Sequence, residues 1–337
     1  MKIFRVIVIA IGFFCAGYSS EAAVYVKKPI RALHLVTRAV SPADVMKLVD
    51  IASKEKFNTI ILGIAWRGST KLKSMPWVDG SKAWSSKDLL AVVQYIREKN
   101  MQVVPELKLL SHANVLFQKN FPNLMYNSKT YDPRKPEVYQ KVFPIIDEVI
   151  ALLHPQAIHI GHDEVVGWSK RHYVKGLLKS DERQLPANLF LKSVVYIHEH
   201  LHSKGVETWM WGDMLISQGE FPSMRKSGAL HDLNESYGAT LRKKIPRDIL
   251  ICDWHYNDKQ RDFPTVSAFK NDGFRVLGAT WKKEKTIQNF SYYAAHHGAE
   301  GMIATTWFHV QRKEWDIVNN IIKVSGKTFL KDFPDTK

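Results

Sequence analysis

A chain of 337 residues with 45% hydrophobic and 24% charged side chains has ordinary globular composition, which excludes disorder, collagen and coiled coil. Two cysteines, Cys15 and Cys252, permit neither a disulfide framework nor a zinc knot with Cys/His spacing. The formal charge of +15 favours anionic partners in general, among them acidic glycans, membrane surfaces and nucleic acid.

Residues 1–22 read as a secretory signal peptide: Lys2 and Arg5 precede an apolar run from Val6 to Gly17, and Ser20-Glu21-Ala22 offers small residues around a cut after Ala22. The run is too short to span a bilayer, so no stable membrane insertion is expected after cleavage. Phe14 disfavours a lipid anchor at Cys15. The mature chain, residues 23–337, is expected in the periplasm or outside the cell, which leaves nucleic acid out as a partner. Cys252 is then the sole cysteine, expected to be buried and without a catalytic role.

From residue 32 onward, apolar runs of strand length alternate with amphipathic stretches. Strands are expected at 32–36, 59–64, 102–106, 157–160, 207–211, 249–253, 275–278 and 301–306, and helices at 43–56, 86–99, 136–153, 187–204, 264–271, 286–297 and 314–324. Ser41 and Ser85, each followed three residues later by an aspartate, supply helix starts. Eight βα units in one chain without a linker predict a single-domain (β/α)8 TIM barrel, with an open doubly wound sheet as the alternative. Neither GxGxxG nor GxxxxGK[ST] follows any strand, so no nucleotide cofactor is expected.

A barrel of this kind carries its chemistry just past the C-terminal ends of the strands. Arg38 follows strand one, Trp66-Arg67 strand two, and Ser111-His112 strand three; His162-Asp163-Glu164 follow strand four. Strand five ends in Trp211-Gly212-Asp213, strand six in Asp253-Trp254-His255-Tyr256, strand seven near Trp281 and strand eight in Thr306-Trp307. The tryptophans either cap the core or line an aromatic pocket for a sugar ring or an acetamido methyl. Asp163 and Glu164 are adjacent, so both serve one site only if the strand ends or bulges there; Gly161 permits that turn, and the plain alternative is that one acid pairs with a nearby Lys or Arg. Two carboxylates in different environments divide acid and base work, as glycoside hydrolysis requires.

These residues resemble glycoside hydrolase family 20, the β-N-acetylhexosaminidases, across nearly the whole mature chain. His159-Ile160-Gly161-His162-Asp163-Glu164 is similar to the family's H-x-G-G-D-E; the segment Pro105-Glu106-Leu107-Lys108-Leu109-Leu110-Ser111-His112-Ala113 is similar to its P-E-[IL]-D-x-P-G-H-A; and Arg31 to Arg38 is similar to its opening strand, which ends in a sugar-binding arginine. The resemblance implies Asp163 as the residue that orients the 2-acetamido group and Glu164 as general acid/base in a retaining, substrate-assisted reaction. It implies Trp211, Trp254 and Trp307 as the acetamido pocket, Arg38 as a grip on sugar hydroxyls and Tyr256 as the phenol beside the acetamido oxygen, with His112 and Asp213 in the binding set. The partner it implies is a glycan containing N-acetylhexosamine. The sequence departs from the pattern at Lys108, where the family carries aspartate, at His162, where it carries glycine, at His309, and at strand two, and the family's small preceding domain is not expected.

Three other readings stand beside this one. His159, His162, Asp163 and Glu164 are metal-ligand types, but no HxH or HExxH spacing is present and His159 falls within a strand, so no metal is expected. A glycan-binding barrel without turnover is suggested by Lys108, against the intact acid pair. An endo-acting hydrolase of an amino-sugar polymer is suggested by the cationic surplus.

Overall fold

Eight parallel strands, β1 (Ile30–Val36), β2 (Thr59–Gly63), β3 (Gln102–Leu109), β4 (Ala157–Gly161), β5 (Glu207–Trp211), β6 (Leu250–Trp254), β7 (Arg275–Thr280) and β8 (Gly301–Thr305), close into a barrel in sequence order. This computed structural model describes residues 28–64, 69–78, 80, 82–165, 185–224, 227, 229–230, 235–307 and 310–335. The signal-peptide expectation, Trp66, Arg67 and His309 lie outside them. The strands read as apolar runs because both faces are covered, by the barrel interior on one side and by helices on the other. Among the described residues no helix is long and apolar enough to cross a membrane.

The outer layer comprises α1 (Pro42–Lys54), α2 (Ser86–Glu98), α3 (Pro136–Leu153), α4 (Ala187–His202), α5 (Glu235–Lys244), α6 (Pro264–Asn271), α7 (Glu284–His296) and α8 (Trp315–Asp332). The Ser41 side chain accepts the Asp44 N–H at 3.1 Å, and Ser85 forms a capping box with Asp88. Two helices depart from expectation. α5 was not anticipated, since ESYGATLRKK has little apolar periodicity; tertiary contacts hold it instead. A Cβ at Gly238 would lie 2.6 Å from Leu215 O, so glycine allows the close approach, and Arg242 bonds the same carbonyl and Glu220. α8 runs to Asp332 rather than ending at 324, because Gly326 lets it press on the end of α1, where a Cβ would meet Glu55 O at 2.6 Å.

The seam between first and last strands pairs Ile30 with Gly301 through His34 with Thr305. Any side chain at Gly301 would place its Cβ 1.9 Å from Ile30 O. Beside the seam, the buried Arg31 guanidinium donates to Lys56 O, Phe333 O and Asp335 Oδ1 at 2.8–2.9 Å, latching the end of the chain to β1. β3 also exceeds its expected end and slips against β4: Glu106 pairs with His159, but Leu109 pairs with Gly161, so β3 carries an extra residue across from Ile160. That bulge lies directly below the acidic pair.

Candidate active site

β4 ends in a run of left-handed backbone: Gly161 has φ +75°, His162 +68° and Glu164 +52°. This turn breaks strand alternation and brings Asp163 and Glu164 to one side, as the two-acid reading requires. A left-handed histidine is disfavoured, and His162 is held there by its side chain. Its Nδ1 donates to Ile160 O at 3.0 Å and its Nε2 accepts from Ser193 Oγ at 3.1 Å. Burial lowers this imidazole to about 4, so it stays neutral. The Glu164 backbone N–H is tied to Asp213 Oδ2 at 2.8 Å. Asp213 is buried and acts on the Glu164 backbone.

His112, itself at φ +51° in the loop after β3, sits 3.3 Å from Asp163 Oδ2 and 3.3 Å from Glu164 Oε2 through one nitrogen, Nε2. Burial works to lower its pKa, but the Asp163 charge and the bonds to both carboxylates outweigh burial and push it up to about 9. Asp163 would be raised by burial, yet Lys108 and His112 hold it well below the usual carboxylate range. Ser111 Oγ donates to its other oxygen at 3.4 Å. The pair is thus unequal: the Asp163 side chain is 9% exposed and braced by cations, whereas Glu164 is 30% exposed at the mouth.

Under the pair lies a layer that projects into the barrel from alternate positions of the strands. Glu106 on β3 is fully buried and accepts from His34 Nε2 at 2.9 Å and from Trp211 Nε1 at 3.2 Å. Burial would raise its carboxyl, but Lys108 and His34 hold it far down. His159 on β4 accepts the Gly161 N–H at 3.1 Å, and burial lowers it to about 3. It is a neutral core histidine whose Nδ1 is satisfied and whose Nε2 finds no hydrogen bond among the described residues.

The aromatic residues converge. Trp211 and Trp307 have ring centroids 5.8 Å apart, and Trp254 stacks on Tyr256 at 4.7 Å. Tyr256 meets Trp307 edge to face at 6.2 Å and Trp281 at 5.8 Å. The Tyr256 hydroxyl is shielded from solvent and lacks a hydrogen bond of normal geometry, with Trp307 and Thr305 approaching it; burial pushes its pKa up, so it remains a neutral donor. Trp307 adopts φ +45°, a strained conformation at the mouth of β8. Trp211 is fully buried as a cap, whereas Trp307 is half-buried and faces the mouth.

Of the expected site residues, Asp163, Glu164, His112, Asp213, Trp211, Trp254, Tyr256 and Trp307 are brought together. Arg38 is not joined to them: it lies on the exposed turn after β1, and the contacts of the acid pair come from other residues. Glu106 and Ser111, which stand at and just past the expected end of strand three, join the site without an expected role, and His34 joins it from within β1; the i, i+2 spacing of Glu106 and Lys108 on one strand marks a shared inward face. His112, Asp163 and Glu164 bring one donor atom each within 4.8 Å of one another. The His112 nitrogen already bridges the two carboxylates and the Lys108 ammonium stands 3.6 Å from Asp163, so positive charge is already supplied there by the chain itself. A second charged cluster sits behind β6, where His255 lies between Asp253 and Asp258 at 3.3 Å each. Cys252 is buried and its thiol is pushed up, so it is inert.

A closed (β/α)8 barrel with acids and aromatic residues converging on the C-terminal mouth is a barrel of the catalytic type. The family model described as glycosyl hydrolase family 20, catalytic domain, matches residues 36–307, and the chain belongs to that family. A β-hexosaminidase of Akkermansia muciniphila is 23% identical over 288 residues, covering 74% of this chain and 55% of that protein. The chain spans 34–55% of the length of the curated relatives it matches. Among solved structures, β-N-acetylhexosaminidase from Bacteroides fragilis superposes with a TM-score of 0.64 at 16% identity, covering 90% of this chain and 66% of that one. Dispersin B superposes with a TM-score of 0.60 at 15% identity, covering 91% and 99%. At such identities these structures establish the fold.

Proposed function

We propose that this chain is an exported glycoside hydrolase that removes β-linked N-acetylhexosamine by a retaining, substrate-assisted reaction. The observation that carries the reading is the unequal pair: Asp163 held ionised by two cations, and Glu164 beside it at the open mouth, both reached by His112. In the first step the substrate's 2-acetamido oxygen attacks the anomeric carbon while Glu164 gives its proton to the leaving oxygen. Asp163 accepts the acetamido N–H and balances the charge that develops as the oxazolinium ring closes. Water then opens the ring, Glu164 takes its proton, and the product keeps the β configuration.

Trp254 and Trp307, backed by the buried Trp211, form the apolar wall for the acetamido methyl, and holding that group in attacking geometry is where intramolecular catalysis gains most. The Tyr256 hydroxyl is the donor toward the acetamido oxygen. Arg38, free on the rim, reaches for hydroxyls of the bound sugar. Matches to curated β-hexosaminidases support this substrate class. Residues 1–22 support export.

The test is release of the aryl group from aryl β-N-acetylglucosaminide and β-N-acetylgalactosaminide, with Glu164→Gln alongside. Cleavage by the wild type that falls by about 10²–10⁴ in the variant, with ligand binding retained, is the expected result. Equal rates in both proteins would sink the assignment.

A further inference from the structure

Of the two cations beside Asp163, Lys108 is the one buried in the barrel. It stands on β3 beside the bulge, its side chain 3% exposed, and its ammonium lies 2.9 Å from Glu106 Oε1 and 3.6 Å from Asp163 Oδ2. Above it are two indoles: the nitrogen is 4.8 Å from the centroid of Trp307 and 5.6 Å from that of Trp211. Among the described residues no acceptor completes an aligned hydrogen bond to this nitrogen, so it acts through charge and cation–π attraction. A buried ammonium is expensive unless compensated, and four groups converge to compensate this one.

We propose that Lys108 is a positioning residue for the catalytic pair, its ammonium pinning the Asp163 carboxylate in its acceptor form between the bulge of β3 and the Trp211–Trp307 wall. The proposal rests on the hydrolase reading only for its consequence in turnover. The charge count explains the need. Glu106, Asp163 and Glu164 crowd one end of the barrel, with Asp213 behind them from the loop after β5. The cation facing them across the mouth is His112; His159 from β4 stays neutral, and the Tyr256 hydroxyl from the loop after β6 keeps its proton. His34 from β1 is committed to Glu106. Without Lys108, Asp163 would face two carboxylates with one opposing cation among the described residues, and its proton would be retained to higher pH. A protonated Asp163 cannot accept the acetamido N–H in the required sense.

The experiment uses Lys108→Met, which keeps length and apolar bulk, and Lys108→Arg, which keeps charge. In Lys108→Met the acid limb of kcat/KM on the aryl N-acetylglucosaminide moves up by about one pH unit or more, and Lys108→Arg returns it toward the wild type. A purely structural lysine would lower the rate without moving the limb, and an unmoved limb overturns the proposal. Carboxyl-carbon NMR reads the same group without turnover, with the Asp163 signal assigned by its loss in Asp163→Asn. The wild-type signal stays ionised down to pH 4, and an Asp163 that titrates near the ordinary value of about 3.9 in the wild type overturns the proposal even if Lys108→Met fails to fold. A chain that cleaves no N-acetylhexosaminide but shows the NMR shift in Lys108→Met leaves Lys108 in this role and removes the hydrolase reading instead.

Discussion

Two histidines at the C-terminal end of the barrel have almost the same electrostatic surroundings and different prospects. His112 touches two carboxylates at 3.3 Å and is pushed up to about 9; His255 touches two carboxylates at 3.3 Å and is also pushed up to about 9. In each case burial opposes the charge and the paired acids win. The contrast lies in what fills the remaining space. Around His255, Ser227 and Thr265 each accept a ring N–H at 3.0 Å and pass their own hydrogen to Asp258 and Asp253, and Phe263 and Phe290 close the faces. Its side chain is 0% exposed, against 22% for His112. A displaced pKa therefore marks a buried charge cluster, and only access separates a brace from a place where substrate can react.

The largest way to sharpen that contrast is the loss of turnover in Glu164→Gln, with no matching loss of stability. The reverse pattern is expected from His255→Leu, which strands Asp253 and Asp258 without their cation: stability measured by denaturant melts falls by about 3–5 kcal/mol. His112→Gln, open to water, should lose far less. pH gives a graded version. Both histidines have folded values above the ordinary 6.5, so their contribution is full below pH 6.5 and is lost as pH rises through about 9. Wild-type stability should fall by a few kcal/mol between pH 6 and pH 9.5, and His255→Gln and His112→Gln should each remove a like part of that fall because their values are alike; a fall left intact by either variant would count against its raised value. The smallest effect belongs to Arg38→Ala. On an exposed turn it should change stability by under about 0.5 kcal/mol while raising KM for the sugar, which titration and kinetics check separately.

All eight strands were legible because burial on both faces leaves nothing but apolar runs between turn signals. α5 was not, since its stability comes from Gly238 against Leu215 O and from Arg242 rather than from its own pattern. Asp163 and Glu164 were legible as a pair through Gly161, but the left-handed His162 was not, because a glycine position filled by histidine can be read only once Ser193 and Ile160 O are seen to hold the ring. Glu106 carries no expected role for a different reason: it stands at the expected end of strand three, but β3 continues to Leu109, which leaves Glu106 one layer below the mouth. Lys108 registered as a departure from the family pattern, while its partners come from four strands or their ends and could be known only from the closed barrel.

The seam at Gly301 bears on how the protein is made. β1 leaves the ribosome well before β8, and until β8 follows its outer edge has no partner, while Arg31 waits longer still for Phe333 and Asp335. At about 5–20 residues per second, tens of seconds of synthesis separate those strands. Throughout that interval the nascent chain exposes an apolar strand edge that invites wrong pairing. A chain kept extended until its last helix has emerged would be spared that hazard, and the barrel would then close in one late, long-range step.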